Sequence, residues 1–252
     1  MYNIIEDINN INIIKEDTTK DITKDITKDI NKVITKLVTK DVTKLVTKVV
    51  TKLVTKDETP ENNYIFTVDW FSYNIPIWTH FLNELKDKPN LHFLEIGSFQ
   101  GRSTVWLLEN ILTNNTSKIT CIDTFEGSIE HNIHFQNDIK NLLDIFSHNI
   151  SKFKNKVNII KNKSQNALKH INDQYDFIYI DGDHKASSVI EDAILSFSLL
   201  KKGGIMIFDD YMWFEMKKYI DNPKIAIDAF LEIYADKITL LYKNCQVIIE
   251  KL

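Results

Sequence analysis

The stretch Leu94-Glu95-Ile96-Gly97-Ser98-Phe99-Gln100-Gly101-Arg102-Ser103 decides the fold. Leu91 to Ile96 is a short apolar run closed by a glycine, and Ser103 to Leu112 carries apolar residues at helical spacing, so a strand, a tight turn and a helix follow one another. The alternation then repeats. Ile119 to Ile122, Val157 to Ile160, Phe177 to Ile180 and Ile205 to Phe208 read as strands, and His134 to Phe153, Gln165 to Ile171 and Ala186 to Leu200 as helices. Strands alternating with helices predict a doubly wound α/β domain, its parallel sheet covered on both faces. After Pro223 come a helix, Ile225 to Tyr234, and two strand-like runs, Lys237 to Leu241 and Gln246 to Glu250. Tyr242 to Cys245 is too short for a parallel crossover, so those two runs form an antiparallel hairpin.

The chain has only six glycines in 252 residues, and each reads as sitting at a strand end or start. Gly97, Gly101, Gly127 and Gly182 follow strands and mark the rim where open α/β sheets bind ligands, while Gly203 and Gly204 precede the fifth strand. The first loop lacks the G-x-G-x-x-G spacing of a dinucleotide fingerprint, which disfavours a nicotinamide cofactor. Glu95 at a strand end suits a ligand ammonium group, directly or through water. Ser103 and the helix N-terminus opened by Gly101 suit a carboxylate. Asp123 ends the second strand, where an acid accepts the two hydroxyls of a ribose. The ligand inferred from these residues joins an amino acid to a nucleoside; the competing reading of Gly97 and Gly101 is plain turn formation.

With these residues in place, residues 63–252 resemble the class I S-adenosylmethionine-dependent methyltransferases, and more closely the metal-dependent small-molecule O-methyltransferases of the catechol and macrolide-sugar kind. The resemblance rests on Glu95-x-Gly97-x-x-x-Gly101, Asp123-Thr124-Phe125-Glu126-Gly127, Ser164-Gln165, Asp181-Gly182-Asp183-His184, and Gly203-Gly204 leading to Asp209-Asp210. It implies a Rossmann-like seven-stranded sheet whose last strand is antiparallel, and S-adenosyl-L-methionine as methyl donor. It also implies that Glu95, Gly97, Ser98, Gly101 and Ser103 line the methionine end, Asp123 the ribose, and Ser164 with Gln165 the adenine, with Asp181 at the same rim. Ser164 is equally compatible with capping a helix. Two departures are Phe99, where a middle glycine is usual, and Lys202, where a proline usually precedes Gly203.

Asp181 ends the fourth strand, and Asp209 and Asp210 end the fifth, so on neighbouring parallel strands the three carboxylates converge. Such clustering is costly without a cation, and an oxygen-only set suits Mg2+ or another hard divalent ion that lowers the pKa of a substrate hydroxyl. The resemblance implies the same three ligands, with an Asn in the catechol-type enzymes where Asp210 stands here. The bland alternative is three solvated or capping aspartates. His184 falls where those enzymes carry a basic residue that takes the acceptor's proton, and an imidazole suits that role near neutral pH, with Asp183 as substitute or orienting group. His131 and His134 fit a helix surface better than an acceptor site. Tyr211, Trp213 and Phe214 fit an apolar wall for the acceptor or the core.

Residues 21–56 are nine tandem tetrads, DITK, DITK, DINK, VITK, LVTK, DVTK, LVTK, VVTK and LVTK. On a helix a four-residue period turns the apolar stripe by about 40° per repeat, and as a strand each face mixes charged and apolar residues. No compact fold follows, so residues 1–60 are expected to be a low-complexity extension, mobile or helical, and residues 61–252 the methyltransferase-like domain. A net charge of -4 with 43% hydrophobic residues fits a soluble domain without the basic surface of a nucleic-acid binder. No apolar run nears membrane-spanning length and no secretory leader is evident. Cys121 and Cys245 read as buried free thiols, which points to a reducing, cytoplasmic setting. The expectation is metal-assisted O-methylation of a small molecule or sugar, with neither membrane nor nucleic acid as partner and a homo-oligomer consistent with the resemblance. Its competitors are a metal-independent methyltransferase acting on protein or nucleic acid, and a non-catalytic adapter assembled through the repeats.

Overall fold

The computed structural model describes residues 63–127 and 141–252; the tetrads, His131 and His134 lie outside them. Helix α1 (Ile75–Leu82) carries Pro76 in its first turn, where the missing N–H costs nothing. Then follow β1 (His92–Ile96), α2 (Arg102–Asn110), β2 (Lys118–Asp123), α3 (Leu142–Asn149), β3 (Val157–Lys161), α4 (Ser164–Leu168), β4 (Tyr175–Ile180), α5 (Ala186–Leu199), β5 (Leu200–Phe208), α6 (Pro223–Ile233), β6 (Ile238–Lys243) and β7 (Val247–Lys251). They build a seven-stranded sheet in the order β3-β2-β1-β4-β5-β7-β6. Strands β1 to β5 pair in parallel, and β7 is antiparallel to both β5 and β6. The expected hairpin is present, and its second strand is the one inserted against β5.

Period two in the strands divides the core. Phe93, Cys121, Phe177, Tyr179, Ile207 and Ile248 face one layer with α1, α2 and α3, while Leu94, Ile122, Ile178, Phe208 and Ile249 face α4, α5 and α6. In α1, Trp78 and Leu82 lie one turn apart and are both fully enclosed, which seats the helix on the sheet. Each such side chain contributes about 1.5–3 kcal/mol through the area removed from water.

Two expectations are corrected. Strand β5 starts at Leu200, so Gly203 and Gly204 lie inside it, where the register against β4 jumps between Tyr175 and Phe177. Gly203, at φ +72°, supplies the backbone turn of that irregularity. Cys121 is buried as expected, but Cys245 is exposed because it falls in the turn joining β6 to β7. The helix expected from His134 is described only from Leu142.

Candidate active site

Chain order runs outward from β1 to β2 and β3, then reverses to β4 and β5, so the crevice between the ends of β1 and β4 is the switch point where such sheets bind ligands. Gly97 stands there at φ +84°, and a Cβ on it would lie 1.9 Å from the Asp181 carbonyl oxygen. Only glycine permits both that backbone and that approach. Phe99 also has positive φ, +47°, so the loop takes the left-handed turn at the position where the usual glycine is missing.

Two carboxylates hold this loop. Asp123 Oδ2 accepts the backbone N–H groups of Ser98 and Phe99 at 2.7 and 2.9 Å, and Oδ1 accepts that of Phe125 at 2.7 Å. Glu95 has no exposed surface; it accepts the hydroxyls of Ser98 at 2.7 Å, Ser103 at 2.6 Å, and Thr104. Burial pushes the Glu95 carboxyl up, against the opposing pull of those donors. Thus Glu95 sits beneath the loop, tying it to the first turn of α2. The first helical bond of α2 is Val105 N–H to Gly101 O, which leaves the preceding N–H groups for a ligand or solvent.

On the opposite face of the sheet, Ser164 opens α4, with Lys163 rather than Ser164 at the cap position. Gln165 Nε2 donates to Asp192 Oδ1 at 3.1 Å, and Ser164 also bonds to Asp192. Asp192, on α5, is 1% exposed; burial raises its pKa to about 7, against the lowering effect of Ser164 and Gln165. The sequence reading missed Asp192. Its signal was an acid on the stripe formed by Val189, Ala193, Ser196 and Phe197, where the helix buries its face.

At the ends of β4 and β5 the three aspartates do converge. Asp181 Oδ2 lies 2.9 Å from the Tyr179 hydroxyl, which also reaches Asp209 Oδ2, and Asp209 Oδ2 accepts Gln246 Nε2 at 2.9 Å. Gln246 Oε1 in turn accepts Trp78 Nε1 at 2.8 Å, so α1 and β7 together orient Asp209. Asp210, at φ +58°, places Oδ2 2.9 Å from His184 Nε2, and Trp213 lies edge-on to the imidazole at 4.8 Å between ring centres. Asp181, His184 and Asp210 offer ligand atoms within 4.8 Å of one another, while Asp209 is turned towards Tyr179 and Gln246. Burial first, then Asp209 and Asp210, push the Asp181 carboxyl well up, and burial followed by Asp210 raises Asp209 to about 6. Mutual repulsion of this kind is what a hard cation relieves, so the residues fit one. Tyr211 is buried in the core, whereas Phe214 is exposed.

Residues 94–211 match the family model of a methyltransferase domain. The match runs from β1 through β5 of a sheet with the Rossmann-like methyltransferase fold. An uncharacterised protein of Acanthamoeba polyphaga mimivirus is 29% identical over 156 residues, covering 60% of this chain and 62% of that protein, so the chain spans less than two thirds of this relative's length. Among solved structures, the O-methyltransferase of Bacillus cereus with S-adenosylhomocysteine has TM-score 0.54 at 15% identity, covering 81% of this chain and 97% of its own. The MycE methyltransferase of the mycinamycin pathway, with Mg, S-adenosylhomocysteine and mycinamycin VI, has TM-score 0.53 at 16% identity, covering 73% of this chain and 50% of its own. A proposed rRNA methylase of Clostridium thermocellum scores 0.53 at 16% identity, covering 74% of this chain and 100% of its own. At such identities the likeness speaks for the fold alone. Among the described residues no helix is long and apolar enough to cross a membrane.

Proposed function

We propose that the chain transfers the methyl group of S-adenosylmethionine to a hydroxyl of a small molecule or sugar, assisted by a divalent cation such as Mg2+. The observation that carries this reading is the placing of two sites on one rim: the loop held by Asp123 and Glu95 touches, through Gly97, the backbone of Asp181, first of the three clustered aspartates. Gly97, Ser98, Gly101 and the start of α2 take the methionine end, with Glu95 acting through Ser98 and Ser103. Asp123 takes the ribose hydroxyls, and Ser164 and Gln165 take the adenine, steadied by Asp192.

Asp181 and Asp210, with Asp209 completing the set, would hold the cation. When bound, such an ion lowers the pKa of a hydroxyl beside it. His184, set by Asp210, takes the proton as the methyl passes in line from sulfur to oxygen, giving a methyl ether and S-adenosylhomocysteine. Most of the rate comes from holding donor and acceptor in attack geometry, so no covalent enzyme intermediate is needed.

Calorimetric titration of S-adenosylhomocysteine, with and without Mg2+, tests the reading. Micromolar binding is expected for the wild type, weakened at least roughly a hundredfold in Asp123→Ala by the loss of charge-assisted hydrogen bonds to the ribose and of the carboxylate that holds the loop. Absence of binding at millimolar ligand sinks the reading.

A further inference from the structure

Asp192 reaches from α5 into the gap between α4 and the turn that follows β4. It is buried, and a Cβ on Gly182 would lie 3.5 Å from its Oδ2. Its Oδ1 accepts Gln165 Nε2 at 3.1 Å, and the Ser164 hydroxyl donates to the same carboxylate. Both donors stand in the first turn of α4. Asn162 N–H donates to Asp123 O at 3.1 Å, so that turn begins beside the acid assigned to the ribose.

The contact fixes which end of the Gln165 amide looks outward. A carboxylate accepts hydrogen bonds and donates none, so it draws the Nε2 end inward. The amide is planar, which turns Oε1 away from Asp192, and among the described residues nothing donates to that oxygen. Gln165 is half-buried, so Oε1 is open to a ligand. An amide free to rotate would offer a donor or an acceptor with equal ease. Held by Asp192, it offers an acceptor.

We infer that Asp192 is a positioning residue for base recognition: by holding Gln165 Nε2 it presents Oε1 to the 6-amino group of the donor's purine, and so selects a 6-amino purine over a 6-oxo or unsubstituted one. The inference rests on the proposed methyl transfer, because it takes the donor's adenine to lie against α4. A 6-oxo group would set two acceptors face to face, and a purine with hydrogen at position 6 would leave Oε1 unpaired. Asp192 touches no ligand itself; it acts on the choice between ligands.

Calorimetry on the full chain at pH 8, above the value of about 7 to which burial raises Asp192, compares S-adenosylhomocysteine with its inosine and purine-riboside analogues. The wild type is expected to bind S-adenosylhomocysteine about tenfold tighter than the purine analogue, which differs only in lacking the 6-amino group, and to bind the inosine analogue weakest. In Asp192→Asn the neutral side chain can turn either end to Gln165, so the preference over the purine analogue should fall to about twofold. A merely structural role would weaken the ligands alike and leave that ratio at its wild-type value, which overturns the inference. Gln165→Leu, on the partly exposed turn of α4, should abolish the same preference and decides the matter if the Asp192 variant does not fold; a ratio kept there overturns the inference too. Equal affinities for S-adenosylhomocysteine and the purine analogue in the wild type overturn it while leaving the methyl-donor site standing. Binding of none of the three ligands at millimolar concentration removes the methyl-donor reading itself, and the inference with it.

Discussion

The two halves of the rim are built on opposite principles. On the β1 and β2 side every acid has donors: Asp123 takes three backbone N–H groups, and Glu95 takes three hydroxyls in full burial. On the β4 and β5 side three aspartates crowd together, and burial followed by the neighbouring carboxylates raises the proton affinity of Asp181 and Asp209. The first half is a frame whose carboxylates are fixed in place by donors from the chain. In the second, Asp181 and Asp209 are left with fewer donors than charge, so their repulsion is not relieved by the chain itself. On the proposed function, the difference separates the part of the site that would hold the methyl donor from the part that would gather a cation and the acceptor.

The two halves join at Gly97, and the largest expected effect comes from breaking that joint. Gly97→Ala combines a left-handed backbone with a methyl group 1.9 Å from the Asp181 carbonyl oxygen, and is expected to cost about 5 kcal/mol. Gly203 is the control: its φ is similar, +72°, but nothing lies within 4 Å of an added Cβ, so Gly203→Ala should cost about 1 kcal/mol. Urea unfolding of the two variants reads the contrast, and equal costs would show that the joint is not rigid.

The second test blurs the comparison, because Asp192 belongs to the cofactor half yet is buried and raised to about 7. In the folded chain it keeps its proton up to that pH, whereas unfolded it loses it near 3.8. The folded state therefore binds more protons in between, and stability falls as pH rises from about 4 to about 7, then levels off. At about 1.4 kcal/mol per unit the loss is of order 4 kcal/mol. Asp192→Asn should flatten that part of the stability profile, leaving the slope owed to Asp181 and Asp209. Thermal unfolding between pH 4 and 8 measures it, and parallel profiles for variant and wild type would refute the assignment.

Legibility in the sequence followed the same division. Strand and helix order, the hairpin and the motif residues Gly97, Asp123, Asp181, Asp209 and Asp210 were readable because period and glycine placement are local signals. That Glu95 turns inward beneath the loop was not readable, since its partners Ser98, Ser103 and Thr104 meet it only once α2 has packed on β1. Gln246 was hidden for a similar reason. It joins Trp78, 168 positions away, to Asp209, and its place depends on β7 rather than β6 lying against β5. Cys245 misled because an apolar residue beside a strand-like run reads as core until the turn is seen.

The smallest effect tests whether the crowded half is crowded by charge. Asp210→Asn keeps a side-chain oxygen facing His184 but removes one of the charges that raise Asp181 and Asp209. Without a divalent ion, in the presence of a chelator, the variant should be about 1 kcal/mol more stable than the wild type, because repulsion among partly buried carboxylates has been relieved. With Mg2+ the order should narrow or reverse, since the variant offers the ion a neutral oxygen in place of an anionic one and gains less on binding. Thermal unfolding across an Mg2+ titration reads both signs in one experiment. A variant destabilised equally with and without the ion would mean that Asp210 serves the fold through His184, and that the two halves of the rim differ in hydrogen bonding alone.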